Sequence, residues 1–341
     1  MITADTTLGE VTEEGLLRSI FPFFTPQPGL LVGPGDDAAV VASSGAVIAT
    51  TDTMVRGRDW LDEWSSAADV GVKLLTQNLA DVAAMGGVGT SVLVTLVADP
   101  ATPVAWARAF ARSVGEGAAD AGVAVAGGDL SSAPAGVLLV SITALGDLQG
   151  RPAVLRSGAR PGDVVAVCGT LGRSAAGLLL LQRGEGAMGQ AGAGRREWAG
   201  SRDGGMRKLC LAHHRAPVAP LAAGPAAAAA GATAMLDVSD GLLRDGSRIA
   251  AASGVRLDLS NAALAPDIET LATAVGEGAA RECVLAGGEE HSLLATFPAA
   301  RLPDSWRAIG TVSDGTGITL DGEPQQPRGW DHFRQEPDTD D

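Results

Sequence analysis

The sequence predicts a chain of mixed α/β (α+β) structure folded as two domains, and three observations lead there. With 341 residues the chain is long enough for two hydrophobic cores of ordinary size. Short apolar runs of strand length alternate with segments whose apolar residues recur at helical spacing. The stretch from Arg151 to Asp163, carrying Pro152, Gly158, Pro161 and Gly162, reads as the boundary between the two halves. The expected domains are therefore 1–147 and 148–334, with an acidic and disordered tail at 335–341.

Taken in order, Thr7 to Phe24 reads as an amphipathic helix with Leu8, Val11, Leu16, Leu17, Ile20 and Phe21 on one broad face, ended by Pro26 and Pro28. A glycine-rich acidic turn, Gly33-Pro34-Gly35-Asp36-Asp37, leads into a short strand at Ala38–Ala42, and a second strand at Ala46–Thr51 runs into Asp52. From Ser66 to Met85 the pattern is helical. Gly71, Leu74, Leu75, Asn78, Asp81, Val82 and Met85 share one stripe, so an amide and a carboxylate lie on the face that should be buried. Strands follow at Ser91–Val97, at Val123–Ala126 (ending in Gly127-Gly128-Asp129) and at Val137–Leu145, with a helix opened by Pro103 between the first two. Beyond the boundary come a strand at Val164–Cys168, a helix at Ser174–Gln182 and a patternless glycine-rich stretch, Gly184–Gly205, read as a flexible surface insertion. A helix-rich part leads to Met235-Leu236-Asp237-Val238-Ser239-Asp240-Gly241-Leu242-Leu243, a strand, tight turn and helix start. Strands near Val255–Leu259, Ser292–Phe297 and Trp306–Val312 complete the chain.

Composition removes several classes of function. Ala, Gly and Val dominate and Tyr is absent, so the cores are built from small side chains. A net charge of −15 argues against sequence-independent nucleic-acid binding, which requires a basic footprint. Cys168, Cys210 and Cys283 are odd in number and widely spaced, the pattern of reduced, buried thiols. The acidic N-terminus lacks a basic n-region, and the most apolar run, Pro217–Leu236, is interrupted by Pro220, Gly224, Pro225 and Gly231. The expectation is a cytoplasmic protein with no membrane partner. Gly184-Glu185-Gly186-Ala187-Met188-Gly189 matches a dinucleotide fingerprint by letter only, because it follows a helix instead of a strand. No P-loop occurs, and His213, His214, His291 and His332 show no zinc spacing and read as surface or packing residues.

The acidic residues form the informative set. Asp37 lies in a glycine turn, Asp52 follows Thr50 and Thr51, Asp81 sits on an apolar helical stripe, Asp129 ends a Gly-Gly turn, and Asp237 and Asp240 bracket Ser239. Each alone reads equally well as a turn or cap residue. Together they are hard oxygen ligands without Cys or His, which favour Mg²⁺ over zinc. Two carboxylates a few ångströms apart repel by about 4 kcal/mol at an effective dielectric near 20, and divalent cations relieve that repulsion. The same cations would let an acidic protein hold an anionic phosphate. The set therefore points to a multi-magnesium nucleotide site with ligands from both domains.

Further motifs join these in a fixed order: Gly35-Asp36-Asp37, Thr50-Thr51-Asp52, Asn78-Leu79-Ala80-Asp81-Val82-Ala83-Ala84-Met85-Gly86, Gly127-Gly128-Asp129, Arg156-Ser157-Gly158-Ala159, Asp237-Val238-Ser239-Asp240-Gly241-Leu242, Gly287-Gly288-Glu289-Glu290 and Trp330-Asp331-His332-Phe333. From Thr7 to Phe333 this closely resembles the thiamine-monophosphate kinases, of the superfamily that includes aminoimidazole ribonucleotide synthetase and selenophosphate synthetase. The resemblance implies the two-domain fold of that superfamily, with a C-terminal α/β sandwich and a homodimer whose N-terminal sheets join in an intersubunit barrel. It implies ATP-dependent phosphorylation of thiamine monophosphate to the diphosphate, with several Mg²⁺ ions. By position, Asp37, Thr50, Thr51, Asp52, Asp81, Asp129, Asp237 and Asp240 would bind magnesium. Gly128, Asp129, Arg156 and Ser239 would contact ATP, and Asp52, Asp129, Asp237 and Arg156 would be catalytic. Asp59, Glu289 and Trp330 would contact the thiamine moiety, Trp330 by stacking on a cationic ring.

The chain departs from the family pattern at three places. Asp59 stands where a His is usual, Glu289-Glu290-His291-Ser292-Leu293 replaces the E-D-Y-E-L run, and Leu130-Ser131 replaces T-T after Gly-Gly-Asp. The acceptor in such a reaction is an ionised phosphate, so direct transfer without a general base or phospho-enzyme is expected. Two rival readings share the acidic set: another ATP-using enzyme of the superfamily, such as an amidine-forming ring synthetase, and a non-catalytic magnesium-nucleotide binding module.

Overall fold

A computed structural model describes Thr3 and residues 5–34, 38–186 and 205–330. Asp37, most of Gly184–Gly205, His332 and the acidic tail lie outside the described residues. The chain divides into two units. It passes from the first to the second between Val154 and Leu155, returns to the first for Arg215–Ala229, and re-enters the second at Ala230.

In the first unit the expected helix from Thr7 to Phe24 is broken. Leu8–Glu10 and Phe21–Phe23 are 3₁₀ turns on either side of α1 (Glu13–Ile20). The Thr12 hydroxyl accepts the Gly15 N–H at 3.1 Å and starts a new helix, while Pro22 cannot continue it. β1 (Leu30–Val32) and β2 (Val40–Val41) form a small antiparallel pair, shorter than the strand expected at Ala38–Ala42. Then follow β3 (Val47–Val55), α2 (Ala67–Ala84), β4 (Val88–Ala98), α3 (Val104–Asp120), β5 (Ala124–Ser132) and β6 (Leu138–Asp147).

These strands form a sheet in the order β3-β6-β4-β5, antiparallel except for β4 and β5, which are parallel and joined through α3. Ser66 and Asp69 close a capping box at the start of α2, each side chain accepting the other's backbone N–H. Leu74 and Val70 of α2 share one core with Phe110 and Val114 of α3 and with Val92, Val140 and Ile142 of the sheet. The opposite sheet face carries Thr51, Thr53, Ser141 and Thr143, with Val47 and Leu93 exposed.

β5 does not stop at Ala126 but runs through Gly127-Gly128-Asp129, with a bulge opposite Val92 and Leu93. A Cβ at Gly128 would lie 1.8 Å from the Val94 carbonyl oxygen, so this close approach requires glycine.

The second unit opens with β7 (Asp163–Cys168), α4 (Arg173–Gln182) and α5 (Gly205–Arg215). After α6 (Ala223–Ala230), most of which belongs to the first unit, come β8 (Ala234–Asp237), α7 (Leu242–Ser253), β9 (Arg256–Leu259), α8 (Asn261–Val275) and α9 (Glu277–Ala286). β10 (Leu293–Pro298), β11 (Arg307–Ser313), β12 (Gly317–Leu320) and β13 (Glu323–Pro324) finish it. The sheet order is β13-β12-β9-β11-β7-β10-β8, and only β12 and β9 pair in parallel. α8 and α9 were not anticipated. Ser260 caps α8 and Pro266 lies inside it, a residue that usually argues against a helix interior.

Cys168, Cys210 and Cys283 are buried and free. Burial pushes the Cys210 thiol up to about 12 and the Cys283 thiol up to about 11, so both stay protonated. Among the described residues no helix is long and apolar enough to cross a membrane.

Candidate functional site

In the first unit the predicted residues divide between the two faces of the sheet. Strand side chains alternate, and Ile48, Thr50, Asp52 and Met54 of β3 point toward α2 while Thr51 and Thr53 point away. On the helix-covered face the Thr50 hydroxyl donates to Asp81 Oδ2 at 2.7 Å. The Asp52 backbone N–H donates to Asn78 Oδ1 at 3.2 Å, and the fully buried Asn78 gives its own amide to Leu74 O at 2.9 Å. The two polar residues of the α2 stripe are thereby explained: they meet the polar residues of β3.

Thr51 and Asp129 lie on the other face. Asp129 is exposed, pairs in register with Thr95, and accepts the Ser131 hydroxyl at 3.0 Å. The sequence reading placed Thr50, Thr51 and Asp52 together, but the two-residue period of the strand separates the middle one. Asp59 has a local task, its Oδ2 accepting the Val55 N–H at 2.7 Å at the end of β3.

In the second unit five of the predicted residues come together. Asp237 ends β8, and Ser239 and Asp240 form the turn into α7, opened by Gly241 at φ 124. The Glu289 N–H donates to Ser239 O at 2.6 Å, and the Trp330 N–H donates to Asp240 O at 2.9 Å. Trp330 is 54 % exposed. Arg156 is not part of this cluster. Its carbonyl accepts the Ser253 hydroxyl at 3.1 Å at the far end of α7, a 12-residue helix. At 1.5 Å per residue that places its backbone roughly 18 Å along the axis from Asp240.

Sequence reasoning missed the groups that hold these acids. Asp245, fully buried in the first turn of α7, accepts the N–H groups of Asp240 and Gly241 at 2.9 and 3.0 Å. Burial, with Asp237 and Asp240 nearby, pushes its carboxyl up to about 7 against those hydrogen bonds. Arg248 bridges Asp245 Oδ1 and Asp240 Oδ2, both at 2.5 Å, with Arg244 Nε 3.6 Å from the same Asp240 oxygen.

His291 Nδ1 lies 3.1 Å from Asp237 Oδ2. His213 Nε2 lies 3.3 Å from Glu290 Oε1, and His214 Nδ1 lies 3.4 Å from Glu289 Oε2 and 3.2 Å from Ser174 Oγ. Glu290 is fully buried. Burial alone would raise its carboxyl, but His213, the Thr170 hydroxyl and the Ser174 N–H outweigh that and hold it below its ordinary value. The histidines read as surface or packing residues are therefore partners of carboxylates, at least for the three that are described. The adjacent pairs His213-His214 and Glu289-Glu290 carried a complementary charge signal, but nothing local links them across the sequence.

Among the described residues no three His, Cys, Asp or Glu side chains converge on one metal position. The donor chemistry nevertheless suits a hard divalent cation. Thr50, Asp52 and Asp81 present only oxygen, and the Asp237 and Asp240 carboxylates are already held by cationic or proton-donating groups.

Residues 35–148 match the N-terminal domain of the AIR synthase related proteins, and residues 160–323 match their C-terminal domain. Along 99 % of its length the chain is 42 % identical to the thiamine-monophosphate kinase of Mycobacterium tuberculosis H37Rv, covering 96 % of that protein. It is 36 % identical to the thiamine-monophosphate kinase of Corynebacterium glutamicum over 96 % of the chain and 95 % of the relative. Its structure is similar to the thiamine-monophosphate kinase of Stenotrophomonas maltophilia K279a, with a TM-score of 0.78 at 32 % identity over 92 % of this chain and 98 % of that one. It is also similar to AaThiL complexed with AMPPCP and TMP, with a TM-score of 0.74 at 29 % identity, covering 87 % and 91 % of the two chains. With its two-domain α/β fold, the chain belongs to the thiamine-monophosphate kinase family of AIR synthase related proteins.

Proposed function

We propose that this chain transfers the γ-phosphoryl group of ATP directly to the phosphate of thiamine monophosphate, giving ADP and thiamine diphosphate. The observation that carries the reading is the cluster in the second unit. Asp237, Ser239, Asp240, Glu289 and Trp330 come from three separate family motifs and are tied together by backbone hydrogen bonds. They are tied in a chain that matches thiamine-monophosphate kinases over almost its whole length.

The acceptor is a phosphate already ionised near neutral pH, so the protein needs no base to activate it. Catalysis reduces to holding two polyanions in line and neutralising the charge between them. Asp37, Thr50, Thr51, Asp52, Asp81 and Asp129 in the first unit, and Asp237 and Asp240 in the second, are the residues that would hold magnesium. When bound, such ions supply the positive charge that an acidic chain lacks. Gly128, Ser239 and Arg156 would contact ATP. Because the Asp59 carboxylate is engaged by Val55, recognition of the thiamine moiety would fall chiefly to Glu289 and Trp330. The open, hydroxyl-lined face of the β3-β6-β4-β5 sheet supports a homodimer in which the first-unit sheets of two chains join in a barrel. The three free cysteines agree with a reducing, cytoplasmic setting.

The test is a coupled assay with ATP, Mg²⁺ and thiamine monophosphate. Equimolar ADP and thiamine diphosphate are expected, and ADP without thiamine diphosphate would overturn the reading. Stable ³²P labelling of the protein from γ-labelled ATP during turnover would overturn direct transfer.

A further inference from the structure

The loop that follows α9 is fastened to the Asp237–Asp240 turn through Glu289, His291 and Ser292. The Glu289 N–H donates to Ser239 O at 2.6 Å, the His291 N–H to Val238 O at 2.9 Å, and the Val238 N–H returns to Ser292 O at 2.7 Å. From the other side Glu290, fully buried, takes the Thr170 hydroxyl and the Ser174 N–H. Within this clamp Glu289 and His291 sit at φ 58 and 55, in the left-handed region that non-glycine residues avoid. Two such residues in a span of three persist only where the surroundings over-determine them, and such strain gathers at functional sites. The conformation turns His291 inward. Its ring is 2 % exposed, and Nδ1 reaches Asp237 Oδ2 at 3.1 Å.

We propose that His291 is a positioning residue for the carboxylate of Asp237. By engaging Oδ2, the imidazole fixes the rotation of the carboxylate and leaves Oδ1 as the oxygen for a divalent cation. The backbone bonds from Glu289 and His291 make the same loop a rigid link between the cation ligand and the acid that would read thiamine. An outer partner of this kind typically contributes about tenfold or more to metal affinity. The inference rests on Asp237 being a cation ligand, as in the proposed function.

The experiment measures Mn²⁺ binding to the full-length protein, without nucleotide or thiamine monophosphate, by electron paramagnetic resonance. H291F keeps an aromatic ring of similar size and removes the donor, whereas H291N places an amide N–H near the position of Nδ1. H291F is expected to weaken Mn²⁺ binding by about tenfold, to lower kcat in parallel, and to leave KM for thiamine monophosphate within about twofold. H291N should restore Mn²⁺ affinity to within about threefold of wild type. Wild-type Mn²⁺ affinity in a folded H291F sinks the proposal. So does an H291N that binds as weakly as H291F, because the role is then packing alone. If H291F does not fold, the H291N measurement decides by itself. D237N is the control that separates the two levels: unchanged Mn²⁺ binding in D237N would overturn the metal role of Asp237 and with it the positioning role of His291, whereas the proposed phosphoryl transfer stands or falls by the coupled assay.

Discussion

The hydroxyl of Thr50 on β3 donates to the carboxylate of Asp81 on α2 at 2.7 Å, joining strand and helix across 31 residues of sequence. Asp52, two residues along the same strand face, receives Asn78 at its backbone N–H, one helical turn before Asp81. Thr50 and Asn78 thus tie the acid-bearing stretches of strand and helix together through neutral hydrogen bonds. In D81N the amide oxygen can still accept the Thr50 hydroxyl, and in D52N the backbone bond to Asn78 is unaffected. Each variant should lose at least about 100-fold in kcat. Its Tm should move by less than about 4 °C, the size of a 1 kcal/mol change in a chain of this kind. Steady-state kinetics and calorimetry together check this, and near-normal kcat in either variant would remove the metal role.

Glu290 is the clearest pH-dependent element of the second unit. Its carboxyl is held below the ordinary value of 4.5 by His213, Thr170 and Ser174 despite complete burial. A lowered folded value means that the ionised form stabilises the fold above the unfolded value, and that this stability is lost as the pH falls through the folded one. E290Q leaves the partly buried His213 without its charged partner, and the Thr170 and Ser174 donors without a carboxylate, and should be less stable by about 3 kcal/mol at pH 7. The gap should narrow as the pH drops below 4.5, where the carboxyl of the unfolded chain takes up a proton, and it should close as the pH falls through the lower folded value. Urea titrations at pH 7 and at acid pH measure it, and an equal gap at both would refute the assignment.

Trp330 has its backbone fixed to Asp240 and is 54 % exposed. If that ring stacks on the cationic thiazolium, W330A should raise KM for thiamine monophosphate by roughly threefold to thirtyfold, the range of a cation–π contact. KM for ATP should stay within about twofold, and W330F should keep most of the wild-type value. Equal rises in both KM values would point instead to a disturbed Asp237–Asp240 turn.

Gly127 and Gly128 are adjacent but not equivalent. A Cβ on Gly127 would meet Leu93 Cδ2 at 3.6 Å, an ordinary contact, whereas one on Gly128 would meet Val94 O at 1.8 Å. G128A should therefore lose about 2 kcal/mol or more, by forcing β5 away from β4, while G127A should change stability by less than about 1 kcal/mol. Denaturant midpoints of the two variants decide it, and a G128A as stable as G127A would contradict the strand register.

Much of the fold was legible from local chemistry. The helical spacing from Ser66 to Met85 marked α2, the strands around Val165 and Leu294 lay within one residue of their expected ends, and the strand around Val92 began three residues earlier than expected. The broken N-terminal helix and the unexpected α8 are the exceptions. There a threonine cap and a tolerated internal proline acted against the apolar pattern.

By itself the sequence determined where the acidic and hydroxyl side chains stand, that Asn78 and Asp81 lie on one apolar helical stripe, and which family the motifs belong to. These depend on residue type and on spacings of a few residues, which the chain carries along its length. Only the tertiary structure decided who meets whom. It placed Thr51 and Asp129 on the sheet face opposite Asp52, set the Arg156 backbone at the far end of α7 from Asp240, and supplied Arg248, His213, His214 and His291 as partners of carboxylates. The reason is that such pairings span up to 77 residues, as between His213 and Glu290. They are selected by the desolvation of buried charge, which exists only once strands and helices have closed around it.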